Sequence, residues 1–177
     1  GPGNPARGDT AAATDGIPVN DQATTTLVVT VGDRVAVVRL DGAQVLNALH
    51  SSTHRLITQA MTELDTREDV GAIVLCGAGR AFCAGSDLRE VGALQGVAAQ
   101  RYVQLDFATK NAVAGSTTPV IAAIQGHCIG GGVQLALACA LRIAATDAIF
   151  GFPGGPRGRG PGGGGMQRRR GDVGGGL

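Results

Sequence analysis

A chain of 177 residues, 44% of them apolar, is long enough for one domain with its own core and too apolar for a disordered chain. Fifteen Lys and Arg offset fourteen Asp and Glu, and the net charge of +1 excludes a chain held to polyanions by its overall charge. Aromatics make up only 3%, so aliphatic side chains must fill the core, and no apolar run reaches the roughly 20 residues of a membrane span.

The first two dozen residues, rich in Ala, Thr, Gly and Asp behind an opening Gly1-Pro2 that resembles a cleavage scar, read as an unfolded leader, residues 1–24. "TTTLVVTVGDRVAVVRL" (24–40) then carries two β-rich runs around Gly32-Asp33, the pattern of a hairpin. Ser51, Ser52 and Thr53 are candidate caps for a helix in which Leu56, Ile57, Ala60, Met61 and Leu64 share a face, ending near Thr66. "VGAIVLC" (70–76) has strand length and is broken by Gly77 and Gly79, after which "GAGRAFCAGSD" forms a glycine-bearing loop. A helix is expected over 97–114, stopped by Pro119, followed by the buried strand "VIAAIQ" (120–125). "GHCIGGGVQLALACA" (126–140) then sets three glycines in front of an apolar helix. The alternation of strands and helices predicts an α/β core, residues 25–150, with parallel crossovers. From Gly151 to Leu177 the composition turns to Gly, Arg and Pro, which cannot build a core as written.

The two glycine loops occupy matching places, each after an apolar strand and each leading to a helix. Glycines there let a ligand come within hydrogen-bond distance of the main chain, and a helix start offers unpaired N–H donors. Two such loops facing one point can hold a developing oxyanion. A phosphate cradle is the competing use, but the P-loop Lys-Ser/Thr and the GxGxxG spacing are absent.

"GRAFCAGSDL" (79–88) together with "PVIAAIQGHCIGGGVQLALACALRIAATDAIFG" (119–151) resembles the crotonase, or enoyl-CoA hydratase/isomerase, family, and "VLNAL" (45–49) resembles that family's early Asn-Ala-Leu element. The likeness covers roughly Leu27 to Gln167. It implies a spiral of repeated β-β-α units, assembled as homotrimers or trimer pairs, acting on acyl-CoA thioesters through a stabilised enolate. It also implies that the N–H groups of Ser86 and Gly131 bind the thioester oxygen, and that Ser86, Asp87, Leu88 and Arg89 run along the CoA. No cofactor is implied beyond the CoA of the substrate. In hydratases of this family two glutamates flank the reacting carbons, and the matching positions here are Gln134 and Gly154. Neither carries a carboxylate, so neither accepts a proton at neutral pH. Ala140 stands where the family commonly has Asp. The segment after Phe150 keeps the Phe-Gly, Pro and Gly-Gly spacing of "FGxPExxxGxxPGxGGxQR" in degraded form, and the chain is expected to stop short of the family's C-terminal helices.

Other residues invite weaker readings. His127 beside the glycine loop is expected to pack or hydrogen-bond rather than act as a base. His50 and His54 lack a third metal ligand, so no metal site is expected. Cys76, Cys83, Cys128 and Cys139 show no CxxC pairing and are expected to be reduced, with Cys83 and Cys128 as buried thiols and not nucleophiles. Asp87 is expected to cap a helix or face the surface. The expected function is binding of an acyl-CoA thioester, with enoyl-CoA hydration or double-bond isomerisation as the parent reaction, in the cytoplasm and without a membrane. A binder without turnover is the alternative. A nucleic-acid binder working through the Arg/Gly tail is a third reading, against which the paired glycine motifs argue.

Overall fold

The computed structural model describes residues 23–153; the leader before Ala23 and the Gly/Arg-rich stretch that includes Gly154 lie outside the described residues. Strands β1 (Thr26–Gly32) and β2 (Val35–Asp41) pair antiparallel with Gly32 opposite Val35. The two-residue turn between them is Asp33-Arg34, and both have positive φ, 50° and 64°, as a primed turn matched to strand twist requires. β2 alternates strictly, with Ala36, Val38 and Leu40 buried, and the same period continues in β3 (Ala72–Gly77) and β5 (Val120–Ile124). With β7 (Leu141–Ala144) these form a five-stranded sheet in the order β1-β2-β3-β5-β7, parallel from β2 onward. β7 is an edge strand. Its Leu141 and Ile143, two residues apart on one face, are 60% and 67% exposed.

A second, three-stranded sheet holds β4 (Ala81–Cys83), β6 (His127–Ile129) and β8 (Ile149–Gly151) in that order, all parallel. The chain therefore repeats one move: a strand in the large sheet, a strand in the small sheet, then helix. β3 and β4 lead into α2 (Leu88–Ala93) and α3 (Gly96–Ala114), β5 and β6 into α4 (Gly131–Ala138), and β7 into β8. This is the β-β-α spiral. The sequence pattern predicted β1, β2, β3 and β5 of the large sheet but placed no strand at β7, and it treated the two glycine loops as loops throughout. Each contains a strand of three residues, too short for a period of two to show.

Helix α1 (Ser51–Asp65) buries Ile57, Ala60, Met61 and Leu64 as expected, whereas Leu56 is 37% exposed. Its cap is His50 and not one of the hydroxyl residues: the imidazole Nδ1 accepts from Ser52 N–H at 3.1 Å, and Glu90 Oε2 accepts from Ser51 N–H at 2.8 Å. An imidazole and a carboxylate thus satisfy donors that a Ser or Thr cap would have served. No helix among the described residues is long and apolar enough to cross a membrane.

Candidate active site

β4 and β6 are parallel neighbours, with Ala81 opposite His127 and Cys83 opposite Cys128, so the segments leaving their C-terminal ends emerge side by side. The first runs through Ala84, Gly85 and Ser86 to Asp87, which caps α2 by accepting from Arg89 N–H at 3.0 Å. The second is the triple glycine. Leu49 forms a parallel bridge to Ser86, in which Leu49 N–H donates to Gly85 O at 2.7 Å and Asp87 N–H donates to Leu49 O at 3.0 Å. Because extended residues alternate, the Ser86 N–H points away from Leu49. Gly131 is the first residue of α4, so its N–H has no partner within the helix. Neither N–H has an acceptor among the described residues.

The two groups are close. A Cβ built on Gly131 would lie 3.5 Å from Ser86 N and 3.6 Å from a Leu49 methyl, and one on Gly85 would lie 3.1 Å from Gly131 N. The two nitrogens are therefore at most about 6 Å apart, the span one oxygen bridges with two hydrogen bonds of about 2.9 Å. Each glycine of the triplet has its own task. Gly130 takes φ 53° with ψ −112°, a conformation confined to glycine. At Gly131 a methyl group would meet only ordinary contacts, so its bareness leaves room in front of the N–H. At Gly132 a Cβ would overlap the carbonyl oxygen of Cys83.

Asn47 ties the turn at 42–47 to the segment that enters β4. It is fully buried, its Nδ2 donates to Ala78 O and Ala81 O at 2.9 and 2.8 Å, and its Oδ1 accepts from Gly42 N–H at 2.9 Å. Of the segment expected along the CoA, Leu88 is 81% exposed, while Arg89 makes two hydrogen bonds to Asp87, at 3.1 and 2.8 Å, which keep that carboxyl below its usual range.

Below the cradle lies a buried polar cluster that sequence reasoning missed. Lys110 is 1% exposed, and its ammonium donates to Asp106 Oδ1 and to Gln134 Oε1, both at 2.5 Å. His54 is fully buried: its Nδ1 lies 2.9 Å from Thr109 Oγ1, and its Nε2 lies 3.6 Å from Asp106 Oδ1 and 3.4 Å from the Tyr102 hydroxyl, which donates to Leu49 O at 2.7 Å. Tyr102, Asp106, Thr109, Lys110 and Val113 follow a helical period along α3, so the signal was present. An Asp and a Lys four residues apart ordinarily mark a solvent face, and that is what hid it.

Burial also sets the chemistry of the other candidates. All four cysteines are free; Cys83 is pushed up to about 12 by desolvation, and Cys128 and Cys139 are likewise raised, so these three stay thiols. His127 sits in β6 with its Nδ1 buried and without a partner. Among the described residues no group of three or more His, Cys, Asp or Glu could hold a metal ion. His54 is lowered from 6.5 to about 4, chiefly by desolvation, and is neutral at pH 7. Its folded value lies below the unfolded one, so the unfolded chain binds the extra proton between those limits. Its contribution is complete above about pH 6.5 and is lost as pH falls toward 4, up to about 3 kcal/mol. Urea midpoints at pH 7 and pH 4.5 should therefore differ more for the unmodified chain than for His54→Gln; equal differences would remove His54 as the cause.

The sequence profile described as Enoyl-CoA hydratase/isomerase matches residues 30–176. The chain belongs to this family. The "Probable enoyl-CoA hydratase" of Mycobacterium bovis is 42% identical over 143 residues, 81% of this chain and 55% of that protein. The "Short-chain-enoyl-CoA hydratase" of Clostridium acetobutylicum is 35% identical over 136 residues, 76% of this chain and 52% of that one. A crystal structure of an enoyl-CoA hydratase from Bacillus anthracis superposes with a TM-score of 0.77 at 32% identity, covering 81% of this chain and 56% of the other. The chain thus spans about half the length of the curated relatives it matches. In the β-β-α repeat, the Ser86 and Gly131 segments each join the small-sheet strand of one unit to the helix that follows it, in two successive units, and Gln134 lies one helical turn beyond Gly131.

Proposed function

We propose that this chain binds an acyl-CoA thioester, with the thioester oxygen held between the Ser86 and Gly131 N–H groups and the enolate of hydration or double-bond migration as the species they stabilise. The observation that carries this reading is the pair of unaccepted N–H groups facing one space at the ends of β4 and β6. Both are main-chain donors fixed by strand pairing and a helix start, so they need no reorganisation as charge develops. Side chains at 86–89 would run along the CoA. The reading includes no cofactor beyond that CoA, a cytoplasmic setting, and a homotrimer or trimer pair.

Binding without turnover is the second reading, and Gln134 favours it. An amide stands where a proton acceptor is needed, and its oxygen is already taken by Lys110.

Calorimetric titration with crotonyl-CoA and with free CoA tests the binding claim. The thioester should bind more tightly than CoA alone, and Gly131→Val should lower thioester affinity at least tenfold, because its branched side chain occupies the space in front of the N–H. Equal affinity for both ligands, or an unchanged value in Gly131→Val, would refute the assignment.

A further inference from the structure

The cluster under the cradle bears on what the acyl group carries. An ammonium can only donate, so the Gln134 atom facing Lys110 must be the amide oxygen, which fixes the orientation of the whole amide. Its NH2 end then points elsewhere. That nitrogen has no acceptor among the described residues, yet the fully buried, partnerless side-chain nitrogens and oxygens among them are only Thr25 Oγ1 and His127 Nδ1, so Gln134 Nε2 is not sealed from solvent. Gln134 follows Gly131 by three residues on α4, which puts the two on one helix face about 5 Å apart. A group bound one or two carbons beyond the thioester carbonyl would lie at that separation.

We propose that Lys110 is a positioning residue that locks Gln134 as a hydrogen-bond donor into the acyl site, and that the site therefore selects thioesters with an oxygen acceptor on the β carbon. The proposal rests on the thioester reading above. Asp106 takes part by holding the Lys110 ammonium from the other side, with His54 kept neutral against it. A carboxylate at position 134 would pair with Lys110 and present no donor.

Butyryl-CoA, acetoacetyl-CoA and 3-hydroxybutyryl-CoA, titrated calorimetrically into the full chain, separate the possibilities. The unmodified chain should prefer acetoacetyl-CoA over butyryl-CoA by tenfold or more. Gln134→Glu, which an ion pair with Lys110 helps to fold, should abolish that preference while keeping one for 3-hydroxybutyryl-CoA, whose hydroxyl can donate to the new carboxylate. Lys110→Met should shrink the acetoacetyl preference by freeing the amide to rotate, and Lys110→Gln, which still donates to Gln134, should restore most of it; thermal melts identify any variant that has not folded. Butyryl-CoA binding without an acetoacetyl preference, or an equal preference in Gln134→Glu, overturns the donor assignment alone. If none of the thioesters binds better than free CoA, the thioester reading fails, and this inference with it.

Discussion

Gly132→Ala is expected to lower the melting temperature by roughly 10 °C or more, while Gly131→Ala, one residue earlier, should leave it within a few degrees of the unmodified chain. The two positions differ in what stands in front of them. A methyl group on Gly132 runs into the Cys83 carbonyl oxygen, main chain of β4 that cannot rotate aside. Relief requires α4 to move off β4, and β4 and α4 share the buried residues Phe82, Cys83, Leu135 and Ala136. Overpacking of this kind costs about 3 kcal/mol or more when backbone must shift, a large part of a domain's net stability. At Gly131 the nearest atoms lie 3.4 to 3.6 Å from the built methyl carbon, which is ordinary contact. Circular dichroism melts of the two variants decide the matter, and equal melting temperatures would mean that α4 yields easily.

Hydration of crotonyl-CoA by the unmodified chain is expected to stay near background while a CoA thioester still binds. Water addition needs one group to take a proton from water and another to deliver one to the α carbon, each worth roughly a hundred- to ten-thousand-fold. Gln134 is an amide whose oxygen accepts from Lys110, and Gly154, outside the described residues, has no side chain. The cradle is main chain and survives these changes. Gln134→Glu supplies an acceptor, although the Lys110 ammonium lowers its basicity, so the double variant Gln134→Glu with Gly154→Glu should hydrate faster than either single one. The assay is loss of the conjugated thioester absorbance beside a binding titration on the same preparation. Turnover by the unmodified chain at about 1 s⁻¹ or faster would place it among ordinary enzymes and sink the idea.

What was legible in the sequence was whatever extends over several residues of regular spacing. The β-rich runs around Gly32-Asp33 and the helical spacing of Leu56, Ile57, Ala60, Met61 and Leu64 predicted β2 and α1, with Leu56 the one member left exposed, and the two glycine loops after apolar strands marked the place where Ser86 and Gly131 meet. The small sheet stayed hidden because β4, β6 and β8 have three residues each, and the pairing that makes them strands connects residues as far apart as Ala81 and His127. Three identical letters at 130–132 also concealed three different constraints, which only the positions of Cys83 and Ser86 reveal. Lys110 escaped notice because a local pattern cannot say that its helix face is turned inward, against His54 and Gln134.

The open flank at β7 has a practical consequence. Leu141 and Ile143 stand on a strand whose outer row of N–H and C=O groups faces no sixth strand among the described residues, whereas Arg142 between them is turned inward and donates to Ala136 O and Cys139 O. Charge at that edge, the usual guard against unwanted pairing, is thus spent on the interior. Whatever segment does not cover β7 within one molecule can be replaced by the same strand of another. An exposed apolar edge of this kind is where pairing between molecules is expected to begin, so Leu141→Lys, which sets a charge on that rim, should reduce self-association at high protein concentration.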